Sequence, residues 1–192
     1  MGAIIDIVAS LTLRAAIVLA VLNMTIALQG KLSEKTVQAN MFSLVTTVSR
    51  VMSVDLNLVG NNIASNYFTY ASQDTIEVCF QDPSNLNKPT WVKYFAGPTS
   101  ELSATANPND RKLYRAAGTV AAGTATPAVA AIGVSQLKFT YYDVSGNTLS
   151  APVNKSSIKS FKVYLVMASG DLINNVYPAA EWTFRFFPPN IN

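Results

Sequence analysis

Two ionised side chains stand where the sequence is otherwise most apolar. Asp6 and Arg14 are the only charges in AIIDIVASLTLRAAIVLAVLNMTIAL, residues 3–28. Within a bilayer an unpaired Asp or Arg costs about 2.5–3.5 kcal/mol on insertion scales. Each therefore needs a partner, a water-facing end or a function. Asp6 can act as a helix-terminal carboxylate favoured by the N-terminal dipole, and Arg14 can snorkel. The alternative is neutralisation between chains. Eight residues separate the two charges by about 12 Å along a helix, too far for a comfortable contact within one chain. An axially displaced copy would bring its Asp6 beside Arg14, and a slipped copy would leave both unpaired. Asp6 and Arg14 are thus the candidate assembly residues.

Conventional catalytic chemistry is thinly represented elsewhere. The sequence has no histidine, which removes the commonest general base and metal ligand and most Ser/His and Cys/His schemes. It has one cysteine, Cys79, so neither an intramolecular disulfide nor a cysteine zinc cluster can form. In DTIEVCF, Ile76, Val78 and Phe80 alternate with Thr75, Glu77 and Cys79. That places Cys79 on the more polar face of a strand, without a role. The acids Asp55, Asp74, Glu77, Asp82 and Asp143 form no paired motif. The expectation is a non-enzymatic chain with no cofactor and no metal. A net charge of +3, from 14 basic and 11 acidic residues, is too weak and scattered for a nucleic-acid binder. The densest basic patch, Arg111, Lys112 and Arg115 in RKLYR, reads as a solvated strand edge.

The elements that must position these groups fall into two regimes. The chain has 192 residues, 49% of them apolar and only 13% charged, whereas soluble domains carry about 25% charged residues. A helix over residues 3–28 is long enough to cross a hydrocarbon core of roughly 30 Å. A signal peptide would have a shorter apolar core, basic residues before it and a small-residue cleavage site after it. No Lys or Arg precedes this run, so a retained helix is expected. Beyond Gly30, Val37, Met41, Leu44, Val48 and Val51 recur at steps of four and three, one face of a helix. Gly60-Asn61-Asn62 is a stop signal. Residues 3 to about 59 therefore predict one very long helix, or two with a bend at Gly30. The first part (1–28) is apolar nearly all round. The second (29–62) is amphipathic and should lie against a globular head (63–192).

After Asn62 the apolar period becomes two. Strands are expected at Tyr67–Ala71, Thr75–Phe80, Thr90–Phe95, Lys112–Ala116, Val134–Tyr142, Lys159–Met167 and Glu181–Phe187. Leu137, Phe139 and Tyr141 share one face, as do Phe161, Val163, Leu165 and Met167, and Trp182, Phe184 and Phe186. Half-buried alternating strands predict an antiparallel sheet covered on one face, with the amphipathic half-helix as cover. The fold class is α+β. DVSGN (Asp143–Asn147) is a turn signal, and AGTVAAGTATPAVAA reads as a long surface loop. Pro188 and Pro189 stop the last strand.

A long N-terminal helix, apolar then amphipathic, feeding an antiparallel sheet resembles the plan of type IV pilins and of type II secretion pseudopilins. SRVMSVDLNLVGNNI (Ser49–Ile63) resembles the helix end of PilW-type minor pilins, with Asp55, Leu56 and Gly60 at the Asp-Leu-x-x-x-Gly positions. GVSQLKFTYYDVSGNTLSAPVNKSSIKSFKVYLVMAS (Gly133–Ser169) resembles that family's late hairpin, and FRFFPPNIN its closing strand. The N-terminus departs from the pattern. It shows no basic leader, and Asp6 is fifth only if Met1 is removed, where the family has a glutamate. Leader cleavage and N-methylation are therefore not carried over. The resemblance implies a structural subunit of a type IV pilus-like or pseudopilus-like filament. Such a subunit sits in the inner membrane and then at the cell surface, partnered by copies of itself or by other pilins. It also implies that the carboxylate of Asp6 meets a neighbour's N-terminal amine. The rival reading is a monomeric single-pass membrane protein whose extracytoplasmic β domain binds a ligand or partner.

Overall fold

The computed structural model describes residues 2–64, 67–81, 89–119, 125–189 and 191. Met1, Asp82, the stretch 120–124 of the Ala/Thr-rich segment, and Asn190 and Asn192 of the tail lie outside them. One helix, α1, runs from Gly2 to Asn57 without interruption. At 1.5 Å per residue it is about 84 Å long. No proline interrupts it. Gly30, which costs a helix about 1 kcal/mol relative to Ala, does not break it, so α1 is one helix rather than two. The helix stops at Asn57, and Gly60 takes a left-handed conformation (φ 75°) that suits glycine at a helix terminus. This reverses the chain so that the Gly60 amide donates to the Cys79 carbonyl at 3.0 Å.

Among the described residues seven strands follow: β1 (Phe68–Ala71), β2 (Thr75–Gln81), β3 (Pro89–Ala96), β4 (Arg111–Gly118), β5 (Ala128–Tyr142), β6 (Ser160–Ala168) and β7 (Ala179–Phe186). They form one sheet in sequence order, every neighbouring pair antiparallel. The meander needs only short connections between neighbours. The first part of β5 pairs with β4 and the rest with β6, and the change falls at Gly133–Val134. Gly133 has φ 91°, a conformation few side-chain-bearing residues adopt, and it lets the long strand change direction. The sheet is curled. Phe68 of β1 lies edge-on to Phe161 of β6, ring centres 5.7 Å apart, and the Tyr141 hydroxyl of β5 donates to the Ser72 carbonyl after β1 at 3.0 Å.

A single apolar core draws on all seven strands and on the C-terminal third of α1. The helix supplies Val45, Val48, Met52 and Leu56, a 3-4-4 spacing that defines one face. Val51, expected on that face, is 47% exposed. The buried stripe runs from Val48 to Met52, which leaves Val51 on its flank. The inward faces of β5 and β6 are as expected, with Phe139, Tyr141, Phe161, Val163, Leu165 and Met167 all buried. On β7, the strand at the sheet's edge, Phe186 is buried but Phe184 is 47% exposed.

Three expectations change. Residues 128–133 belong to β5 rather than to a surface loop, because β4 supplies them with ladder partners. Cys79 is buried, since β2 is covered on both faces from Ile76 to Phe80. RKLYR lies on β4, paired on both sides by β3 and β5, and is not a strand edge.

Met52 has no exposed surface, so Met52→Ala should destabilise the detergent-solubilised chain by about 2–5 kcal/mol in denaturant unfolding. Val51→Ala, one residue away, should stay within about 0.5 kcal/mol.

Candidate functional site

The sequence-predicted pair, Asp6 and Arg14, lies on the free half of α1. Every residue from 2 to 29 is exposed, and the large apolar side chains from Ile4 to Leu28 are 52–70% exposed. This segment is long and apolar enough to cross a membrane. Its hydroxyls are already satisfied: Ser10 donates to the Ile7 carbonyl at 3.0 Å, Thr12 to Ala9 at 2.9 Å and Thr25 to Val21 at 2.8 Å. Such internal pairing is what a polar side chain needs where water is excluded. Asp6 and Arg14 differ, because neither has an ion-pair partner among the described residues. At 100° per residue they sit about 80° apart around the helix, so they lie on different sides of α1.

At the other end of α1 the structure assembles a charged cluster that sequence reasoning missed. Asp55 is 7% exposed in the last turn of the helix. Arg115 of β4 grips it with two bonds, Nε to Oδ2 at 2.8 Å and Nη2 to Oδ1 at 3.1 Å. Tyr94 of β3, fully buried, donates its hydroxyl to the same Oδ2, and Arg115 Nε lies 3.2 Å from that hydroxyl. Tyr94 and Arg115 are opposite one another in the β3–β4 ladder, so the sheet presents both donors as a unit. Burial, then the Asp55 charge, pushes the Tyr94 hydroxyl well above the usual tyrosine range. The Asp55 hydrogen bond holds the Arg115 guanidinium firmly protonated. The outer edge of Arg115 borders a cleft of about 240 Å³ with Val51, Ala128 and Ala130 on its walls. The carboxylate, phenol and guanidinium bond one another, and the cluster clamps the helix end to the sheet. The signal was available in sequence: Asp55 sits at a core position beside Met52 and Leu56, where an acid requires a donor.

The rest of the basic patch is dispersed. Lys112 pairs with Glu101 at 3.6 Å, and Arg111 is part-buried at the start of β4. The other acids are also apart. Asp74 receives the Ser72 hydroxyl at 2.7 Å, Glu77 that of Thr69 at 2.7 Å, and Asp143 closes its own turn through the Asn147 amide at 2.8 Å. Among the described residues no three His, Cys, Asp or Glu side chains converge. No protein-family model matches the chain, and no curated protein matches it.

Asp55→Ala would leave the Arg115 guanidinium and the Tyr94 hydroxyl without their acceptor. The Arg115 side chain is 33% exposed, so breaking this pair should cost less than the roughly 3–5 kcal/mol of a fully buried one. Denaturant unfolding of Asp55→Ala, Arg115→Ala and the double variant should show the double losing much less than the sum of the singles. Cys79 sets a pH dependence of its own. Burial, with a smaller push from Glu77, raises its thiol from 9.0 to about 11. The folded chain therefore holds that proton more tightly than the unfolded one. Stability is full below pH 9 and declines as pH rises through about 11. Cys79→Ala should flatten that part of a stability-against-pH curve.

Proposed function

We propose that this chain is a non-enzymatic, pilin-like structural subunit. The apolar half of α1 holds it in the inner membrane before assembly. The same half then packs it into a type IV pilus-like or type II pseudopilus-like filament at the cell surface. One observation carries the reading: a single unbroken helix whose C-terminal third belongs to the core of the head, and whose N-terminal half is apolar and exposed on every side. So much apolar surface must be covered by something outside the chain, by lipid at one stage and by neighbouring helices at the other.

Asp6 and Arg14 give that packing a register. A contact from Asp6 of one copy to Arg14 of the next is head-to-tail, with an axial offset of about 12 Å. Head-to-tail contacts that do not close into a ring propagate as filaments. The alternative partner for Asp6 is a neighbour's N-terminal amine. A monomer anchored by the same helix, with the β domain binding a ligand, is the second reading. It rests on the segment's fitness for a single crossing.

Electron microscopy of sheared cell-surface material, with mass spectrometry of the subunit, tests the reading. Filaments containing this chain are expected, and its retention as a monomer in the membrane fraction would overturn it. Asp6→Ala and Arg14→Ala should each lower assembly at least tenfold while leaving the inserted monomer folded. The exchanged double variant, Asp6→Arg with Arg14→Asp, should recover filaments if the two groups pair with each other. It should not if Asp6 meets an amine.

A further inference from the structure

The connection between β6 and β7 ends in a two-residue hairpin turn. The amides of Ile173 and Val176 each donate to the other's carbonyl, at 2.8 and 3.0 Å. Asn174 and Asn175 between them have φ 52° and 61°, the left-handed pair of a type I′ turn. The flanking residues are aliphatic and outward: Leu172 is 51% and Val176 59% exposed. The tip is held in place. Below it, the Ser169 amide donates to the Pro178 carbonyl at 2.8 Å. The Tyr177 hydroxyl donates to the Ala106 carbonyl at 2.6 Å and Asn107 Nδ2 to the Ser169 carbonyl at 3.1 Å. At the tip, Asn174 Nδ2 donates to Glu34 on α1 at 3.3 Å. Its Oδ1 lies 3.5 Å from where a side chain on Gly30 would begin.

That contact fixes the height of the tip along the helix. Gly30 is two residues past Leu28, about 3 Å along the axis. The interfacial layer of a bilayer is roughly 5–8 Å deep on each side of the hydrocarbon. If the apolar half of α1 spans the membrane with Asp6 at the opposite boundary, Gly30 lies about 36 Å from that boundary along the axis, about 6 Å beyond the hydrocarbon, which places the tip in that layer. We infer that the β6–β7 hairpin tip is a second membrane contact, with Leu172 and Val176 entering the boundary between headgroups and acyl chains where α1 emerges. The inference rests on the membrane-held stage of the proposed function.

The surrounding charges fit a lipid surface. Lys31, with its side chain 72% exposed, and Lys35, also exposed, stand at the same level and can reach lipid phosphates. Glu34 is held by Lys31 at 3.1 Å and by Asn174. Asp171 is the opposing acid, exposed beside the tip. Two points of contact would stop the head from swivelling about α1, so every subunit would meet a growing filament in one orientation.

The test uses the full chain at high dilution in vesicles of equal parts phosphatidylcholine and phosphatidylglycerol, so that no second copy can cover the tip. In a Cys79→Ala background, an environment-sensitive fluorophore is placed at Leu172→Cys, at Leu22→Cys in the apolar helix, and at Val144→Cys. Val144 is 84% exposed in the β5–β6 turn, at the end of β6 away from the tip, and β6 alone spans about 27 Å. Brominated lipids should quench the labels at 22 and 172 severalfold and leave that at 144 unchanged. Quenching at 22 without quenching at 172 overturns this inference and leaves the membrane-held stage intact. Equal quenching at 172 and 144 also overturns it, since the head would then be lying on the membrane without preference. No quenching at 22 overturns both.

Discussion

A carboxylate buried in the last turn of a helix is doubly disfavoured: it has left water, and it sits at the negative end of the helix dipole. Asp55 occupies that position, and α1 has no basic residue in its last turn to relieve it. The relief comes from the sheet, through the two-toothed grip of Arg115 and the hydroxyl of Tyr94. A planar guanidinium meeting a carboxylate edge to edge tolerates little rotation. The pair therefore specifies how α1 is turned about its axis and how far it slides along the sheet. An apolar contact such as Met52 against the core would accept small slips, whereas a slip that separated Asp55 from Arg115 would strand two charges. α1 lies closest to β6 and β7, and Tyr94 and Arg115 reach across from β3 and β4 to its last turn, so the register of the helix end depends on that one neutralisation.

Because the helix is unbroken, a register set at Asp55 is transmitted to its other end. The head's grip on α1 determines which azimuth Asp6 and Arg14 present, and the Asn174–Glu34 contact determines where the apolar half begins relative to the head. One rigid element thus serves two environments. The last third of α1 obeys the rules of a soluble core, with a stripe of buried residues and polar flanks. The first half is uniformly apolar, its hydroxyls folded back on its own carbonyls. A break at Gly30 would uncouple the two halves, and its absence allows an orientation set in the head to matter in the helix.

Much of this was legible in the residues. The length of α1, its change of character near Gly30 and the inward faces of β5 and β6 follow from periodicity, which reports burial on one side. Periodicity fails where burial has another source. Cys79 looks outward by alternation, yet β2 is buried on both faces because the sheet curls and the chain after α1 returns to it. Residues 128–133 carry small side chains with little pattern, and only their pairing with β4 makes them a strand. Val51 was placed one position wrong on the helix because Val48, Val51 and Met52 are equally apolar, and geometry alone chooses between them. The Asp55 cluster is the instructive omission. The sequence marks the acid as misplaced, but its partners are 39 and 60 residues away, and their meeting depends on a curl that no local rule announces.

The two misplaced acids of this chain make a pair of contrasting cases. Asp55 and Asp6 both interrupt apolar faces of the same helix. Asp55 is answered within the chain by a cation and a hydroxyl that the head brings to it. Among the described residues Asp6 is not, and neither is Arg14, although the hydroxyls of Ser10 and Thr12 near them are satisfied. A carboxylate and a guanidinium of opposite sign, on one helix, too far apart to meet and turned to different sides, cannot be neutralised by any rearrangement of this helix alone. On the filament reading, copies of the same helix offset along their axes would neutralise both with no residue other than those two. The internal pair that fixes one head on its helix would then have its counterpart between helices, in a contact that joins chains and can repeat.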